Sequence, residues 1–239
     1  MTKSKRIITI ILIIALLGFI SVYYGMYFNG LSGKHSNINF SDGQIKVACI
    51  GDSTTYGHGI KNWKNNNYPA LLQKELGDDY CVANFGINGA CVQSFSDKPF
   101  TETEIFEETL DFDADIIIFM LGTNDSKDEN FRSTGDFKKE YLSLINCYSD
   151  NEKNPEIFLC TPPSVIYENN ADGINKFGIN TDNLEKISVA ICEITSERNI
   201  NLIDIKSFTQ NKPEWFSDGL HPNNEGALQI AKTISEFIK

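Results

Sequence analysis

Ser53 stands in the run GDSTTYG, directly behind the apolar, β-branched segment Ile45–Ile50. A serine at such a strand-to-helix turn exposes its hydroxyl while the following backbone amides point into the same space, as a nucleophile requires. Serine is also a common helix cap, and this motif alone serves both readings. A hydroxyl nucleophile needs a base that works near neutral pH, and imidazole is the usual one. The chain has three histidines. His35 lies in a polar segment, and His58 follows the serine with no acidic neighbour to orient it. His221 lies in SDGLHPN, three residues after Asp218. An aspartate at that spacing reaches Nδ1, sets the tautomer and leaves Nε2 for the serine.

Acyl transfer through a tetrahedral intermediate also needs hydrogen-bond donors for the oxyanion. NFGINGA carries glycines that let a backbone N–H approach a ligand closely, and LGTND offers the side-chain amide of Asn124. Each of these runs is an ordinary turn composition by itself. Their order along the chain (nucleophile, two kinds of donor, then Asp-x-x-His) is what implies chemistry.

With these motifs in place, the chain resembles the SGNH (GDSL-type) hydrolases over nearly all of Ile45–Lys239. The resemblance implies Ser53 as nucleophile, with its own N–H as an oxyanion donor. It implies Gly89 of NFGINGA and Asn124 of GTND as the other donors, and Asp218 and His221 of DGLHPN as the rest of the triad. It further implies an α/β/α sandwich, with no metal and no cofactor. The first block reads GDST rather than GDSL, and Ala90-Cys91 replaces the Asp-Thr of many members, which bears on how Gly89 is supported. Within the family, GDSTTYGHGI, NYPALLQKEL, NFGINGA, LGTNDSKDENF and DGLHPNNEGA are most similar to carbohydrate O-acetylesterases, including sialate-type members. The expectation is therefore a serine esterase that removes small acyl groups, chiefly acetyl, from a carbohydrate. Trp63, Tyr167 and Trp215 fall in loops beside the expected strand ends, where an aromatic face stacks on a sugar or simply packs its loop.

The elements that must position these residues alternate in type. Apolar runs at Ile45–Ile50, Tyr80–Phe85, Asp115–Leu121, Glu156–Cys160 and Ile200–Ile205 read as strands. Helical periodicity marks Tyr68–Leu76, Phe137–Tyr148, Asn183–Glu197 and Glu225–Ile238. Strands apolar on both faces and separated by helices predict a parallel, flavodoxin-like sheet of five strands inside a three-layer α/β/α sandwich. Such sheets bind ligands beyond their carboxyl ends, which is where the motifs fall.

Ahead of this domain, residues 7–28 carry no charge and follow Lys3, Lys5 and Arg6. As a helix they would extend ~33 Å, enough to cross a bilayer, with Tyr23, Tyr24 and Tyr27 at the far interface. The expectation is an uncleaved signal anchor (residues 1–28), a polar stalk (29–43) and a hydrolase domain (44–239) outside a single-pass cell membrane. A cleaved signal peptide is the rival, against which stand the long apolar run and the lack of a small-x-small site.

The chain of 239 residues has 32 acidic and 21 basic side chains, a formal charge of −11. Three of those bases precede the apolar run, so the domain is more acidic still. Such a field repels polyanions and argues against a nucleic-acid partner. Six cysteines permit three bridges, but Cys49 and Cys160 sit within apolar strand runs and nothing has the CxxC spacing of a zinc site, leaving their redox state open. An O-acyltransferase on a surface glycan, a lipase or lysophospholipase, and a silent binding module remain alternatives. No multi-pass acyl-donor module or long apolar lid is evident, and a binding module has no use for a general base.

Overall fold

In the computed structural model of the chain, residues 40–149, 153–166 and 177–239 are described. The expected anchor, most of the stalk and Tyr167 lie outside them. Among the described residues no helix is long and apolar enough to cross a membrane.

The chain runs β1 (Ile45–Gly51), α1 (Ser53–Tyr56), α2 (Trp63–Asn66), α3 (Tyr68–Leu76), β2 (Tyr80–Gly86), α4 (Glu104–Asp111) and β3 (Ile116–Met120). It continues with α5 (Thr134–Ser149), β4 (Glu156–Cys160), α6 (Thr181–Arg198), β5 (Asn201–Ile203), α7 (Ile205–Thr209) and α8 (Asn224–Ile238). The strands form one parallel sheet in the order β2-β1-β3-β4-β5. This is the expected α/β architecture.

The pleat sorts the core. Val47 and Cys49 face one layer with Ile118 and Met120, beneath Tyr68 and Leu72 of α3 and Ile230 and Ile234 of α8. Ala48 and Ile50 face the other with Ile117 and Phe119, beneath Phe137 and Tyr141 of α5 and Ile187 and Ile191 of α6. Both faces are dry, which is why VACI and IIIFM read as unbroken apolar runs instead of alternating with polar residues.

Several element ends shift from the sequence expectation by one to three residues, and two of these shifts have local reasons. The last strand stops at Ile203 because Asp204 caps α7, its carboxylate accepting the Ser207 N–H at 3.1 Å. Helix α5 begins three residues earlier than its apolar periodicity, at a turn where Ser133 Oγ accepts the Asp136 N–H at 3.0 Å. Helix α4 is absent from the helical segments marked in the sequence, and its eight residues offer only one buried apolar side chain, Ile105.

Strand β1 pairs with β2 on one side and β3 on the other, so the connections leaving it diverge and open a crevice at the carboxyl edge. Gly86 brings β2 close to that opening. A Cβ there would fall 2.1 Å from the Tyr56 nitrogen, so only glycine lets α1 lie against the strand end.

Candidate active site

Ser53 is the first residue of α1, separated from the end of β1 by Asp52 alone. Asp52 caps that helix, its Oδ1 accepting the Thr54 N–H at 2.9 Å, and Gly57 closes it with its N–H on the Ser53 carbonyl at 3.0 Å. Both readings of the serine motif thus meet here, but the capping falls to Asp52 and leaves the Ser53 hydroxyl to another partner. That partner is His221, whose Nε2 lies 3.0 Å from Ser53 Oγ.

The histidine reaches the serine from 168 residues away, yet its own setting is local. Asp218 Oδ1 accepts the N–H groups of Leu220 (3.0 Å) and His221 (2.8 Å), while its Oδ2 meets His221 Nδ1 at 2.9 Å. One carboxylate therefore shapes the turn and orients the ring. Partial burial pushes that carboxyl up, but the hydrogen bonds from the His221 backbone, its ring and Leu220 outweigh it and hold Asp218 below the usual carboxylate range. The segment is clamped on both sides: Phe216 bridges Pro222, and Asn223 caps α8 by accepting the Glu225 and Gly226 N–H groups.

Gly89 follows β2 with φ of +82°, a left-handed conformation that side chains rarely adopt. Asn124 opens the turn after β3, and its Nδ2 donates to the Ala90 carbonyl at 3.2 Å, tying the two donor loops together. Asp125, 0% exposed, makes the stronger tie. Its carboxylate accepts the Val92 N–H at 2.9 and 3.0 Å and the Gln93 N–H at 3.0 Å. Burial pushes this carboxyl up to about 7, against the lowering effect of those two N–H groups. Asn130 braces the assembly further, donating to Asp97 at 2.7 Å and to the Asn124 carbonyl at 3.1 Å. Cys91 directs its thiol to the Gly89 carbonyl at 3.6 Å.

The structure thus brings Ser53, His221 and Asp218 into one hydrogen-bonded line, and sets Gly89 and Asn124 on the two loops flanking the β1 end. Of the three aromatic candidates, Trp63 and Trp215 lie among the described residues. Trp63 stacks on Tyr56 with centroids 4.5 Å apart, and Trp215, 9% exposed, packs against Phe208 at 5.3 Å. Both positions are ordinary packing settings. Sequence reasoning missed Asp125 and His58. Asp125 sits beside Asn124, but an Asn-Asp pair reads as a common turn. His58 has no local signal, because the ring it touches is His221, 4.4 Å away between centroids. Cys49, Cys81, Cys91 and Cys160 are buried free thiols.

A family model described as the GDSL-like lipase/acylhydrolase family matches residues 49–228. An acetylxylan esterase of Xylanibacter ruminicola is 32% identical over 213 residues, covering 82% of this chain and 43% of that protein. The chain therefore spans less than half the length of this curated relative. Among solved structures, a carbohydrate acetylesterase family member from Sinorhizobium meliloti aligns with a TM-score of 0.67 at 22% identity, covering 82% of this chain and 97% of that one. The aryl esterase of M. smegmatis aligns with a TM-score of 0.64 at 16% identity, over 81% and 98% of the two chains. At those identities the structural matches speak for the fold.

Proposed function

This chain belongs to the GDSL-like lipase/acylhydrolase family, and from that membership we propose that it hydrolyses small acyl esters, chiefly acetyl, of a carbohydrate. The observation that carries the reading is the Ser53 Oγ–His221 Nε2–Asp218 Oδ2 line of hydrogen bonds, with steps of 3.0 and 2.9 Å. A binding module needs no such base. In the proposed reaction, Ser53 Oγ attacks the ester carbonyl while His221 Nε2 takes its proton, and Asp218 holds Nδ1–H and stabilises the imidazolium. The oxyanion is received by the Ser53 and Gly89 N–H groups and the Asn124 amide. His221 then returns the proton to the departing sugar hydroxyl. Water, deprotonated by the same imidazole, releases the acid from Ser53.

The choice of a carbohydrate acetyl ester is supported by the acetylxylan esterase at 32% identity and by the motif resemblance to carbohydrate O-acetylesterases. A panel of acetylated sugars and p-nitrophenyl esters from acetate to octanoate tests it. Activity should fall steeply with chain length and vanish in Ser53→Ala. Equal or rising activity toward octanoate would move the assignment to a lipase. We also propose that residues 1–28 anchor the protein with its domain outside the cell, on the strength of the uncharged run 7–28 behind three bases. Protease added to intact cells should then digest the domain, whereas its protection would overturn the topology.

A further inference from the structure

His58 is half-buried, and its ring tilts 47° against that of His221 with centroids 4.4 Å apart. Its backbone N–H donates to the Ser53 carbonyl at 2.9 Å. One residue therefore touches both the nucleophile's backbone and the base's side chain. On the reading that Ser53 and His221 perform acyl transfer, we propose that His58 is a positioning residue, its ring packing holding the His221 imidazole in line between Ser53 and Asp218.

The need for such a flank follows from how His221 is held. Its hydrogen bonds run through Nδ1 and Nε2, both in the ring plane, and a planar ring fixed only at its edges still tilts about the line joining them. Contact from outside the plane stops that motion. Phe177 supplies a second ring contact, edge-on at 5.1 Å and 89°. His58 reaches its place because α1 ends at Gly57, whose left-handed φ of +94° turns the chain back over Ser53.

An imidazole rather than another aromatic carries one condition. His221 becomes positively charged in the acylation step, and a second cation at this distance would oppose it. The ionisable groups acting on His58 are His221 and Asp218. Burial and the His221 charge lower its affinity for a proton, and the Asp218 carboxylate raises it, with a net shift downward from the usual imidazole range. The lowered proton affinity of His58 favours a neutral ring beside a charged His221.

The test uses the full chain with four variants and two readouts. One is the rate at which a fluorophosphonate labels Ser53, and the other is the pH dependence of that labelling. Labelling needs His221 in place but no particular ester. His58→Ala should slow it by about 10-fold, a modest misplacement of the base, and His58→Phe should restore it to within about threefold. His58→Lys should slow labelling and move its acid limb to lower pH, because a fixed cation disfavours protonated His221. His58→Gln, which keeps a polar group without a ring, should resemble His58→Ala. Unchanged labelling in His58→Ala, or failure of His58→Phe to restore it, overturns the inference. Labelling of the wild type without cleavage of any ester would overturn the substrate reading and leave the His58 comparison intact. No labelling of the wild type would overturn both.

Discussion

Between Asp218 and His221 the hydrogen bonds of the Asp218 carboxylate span three residues or fewer, with one distant bond added from the Ile166 N–H to the Gly219 carbonyl at 2.7 Å, whereas the loops bearing Gly89 and Asn124 are joined by bonds that span 32 to 34. The acid–base side of the site is a short turn that carries its own instructions. The oxyanion side is an agreement between two loops that meet only because β2 and β3 flank β1. A turn whose acid and base are joined by its own carboxylate keeps that pairing through small shifts of the domain around it. Two donors on separate loops stay aligned only if something outside them sets the distance, and Asp125 does so.

Substitutions that break each side separately measure this contrast. Asp218→Asn should have the largest effect, lowering kcat by about 10²–10⁴-fold, because an amide nitrogen facing Nδ1 selects the wrong tautomer. A kcat within threefold of wild type would show that Asp218 does not orient His221. Asn124→Ala should lower kcat by about 10²–10³-fold with KM little changed, as expected for a donor used mainly in the transition state. A rise in KM at constant kcat would instead mark Asn124 as a ground-state contact.

Asp125→Asn should be milder, about 10-fold in kcat, since it loosens the loop spacing but removes no donor. It also carries a pH signature. The native carboxyl titrates near 7, above its usual value of about 3.9, so between those limits the folded chain holds a proton that the unfolded chain has released. This site therefore makes wild-type stability fall as pH rises from about 4 to about 7, then level off. The amide of the variant cannot ionise, so denaturant unfolding should show the stability difference moving in the variant's favour over that window. A difference independent of pH would show that Asp125 titrates alike in both states. Asp218 has the opposite sign. Its lowered pKa contributes stability that is present at neutral pH and lost only as the solution falls through and below the ordinary carboxylate range.

The same contrast explains what can be read from the chain alone. Strands such as IIIFM are plain because burial on both faces leaves an uninterrupted apolar run, and α8 is plain because one apolar stripe covers the sheet. The end of β5 is overextended in the sequence reading because a cap by Asp204 outweighs the apolar Ile205 that follows. Trp215 looks available for a sugar because it falls in a loop beside an expected strand end, but the fold sets Phe208 against it and the α8 residue Gly226 beneath its backbone. The thiol of Cys91 reads as a departure beside Gly89, and it proves to support the Gly89 carbonyl.

By itself the sequence determined the pieces whose physics is local. These are the apolar periodicities that build a parallel sheet, and the Asp-x-x-His turn, the latter set by groups three residues apart. Only the tertiary structure decided which groups meet across the chain: Ser53 with His221, Asp125 with Val92 and Gln93, and His58 with His221. Those contacts depend on strand order, on which loops diverge at β1 and on how closely α1 is allowed to approach β2. They are consequences of packing the whole sheet and its helices, and no short stretch of residues specifies them.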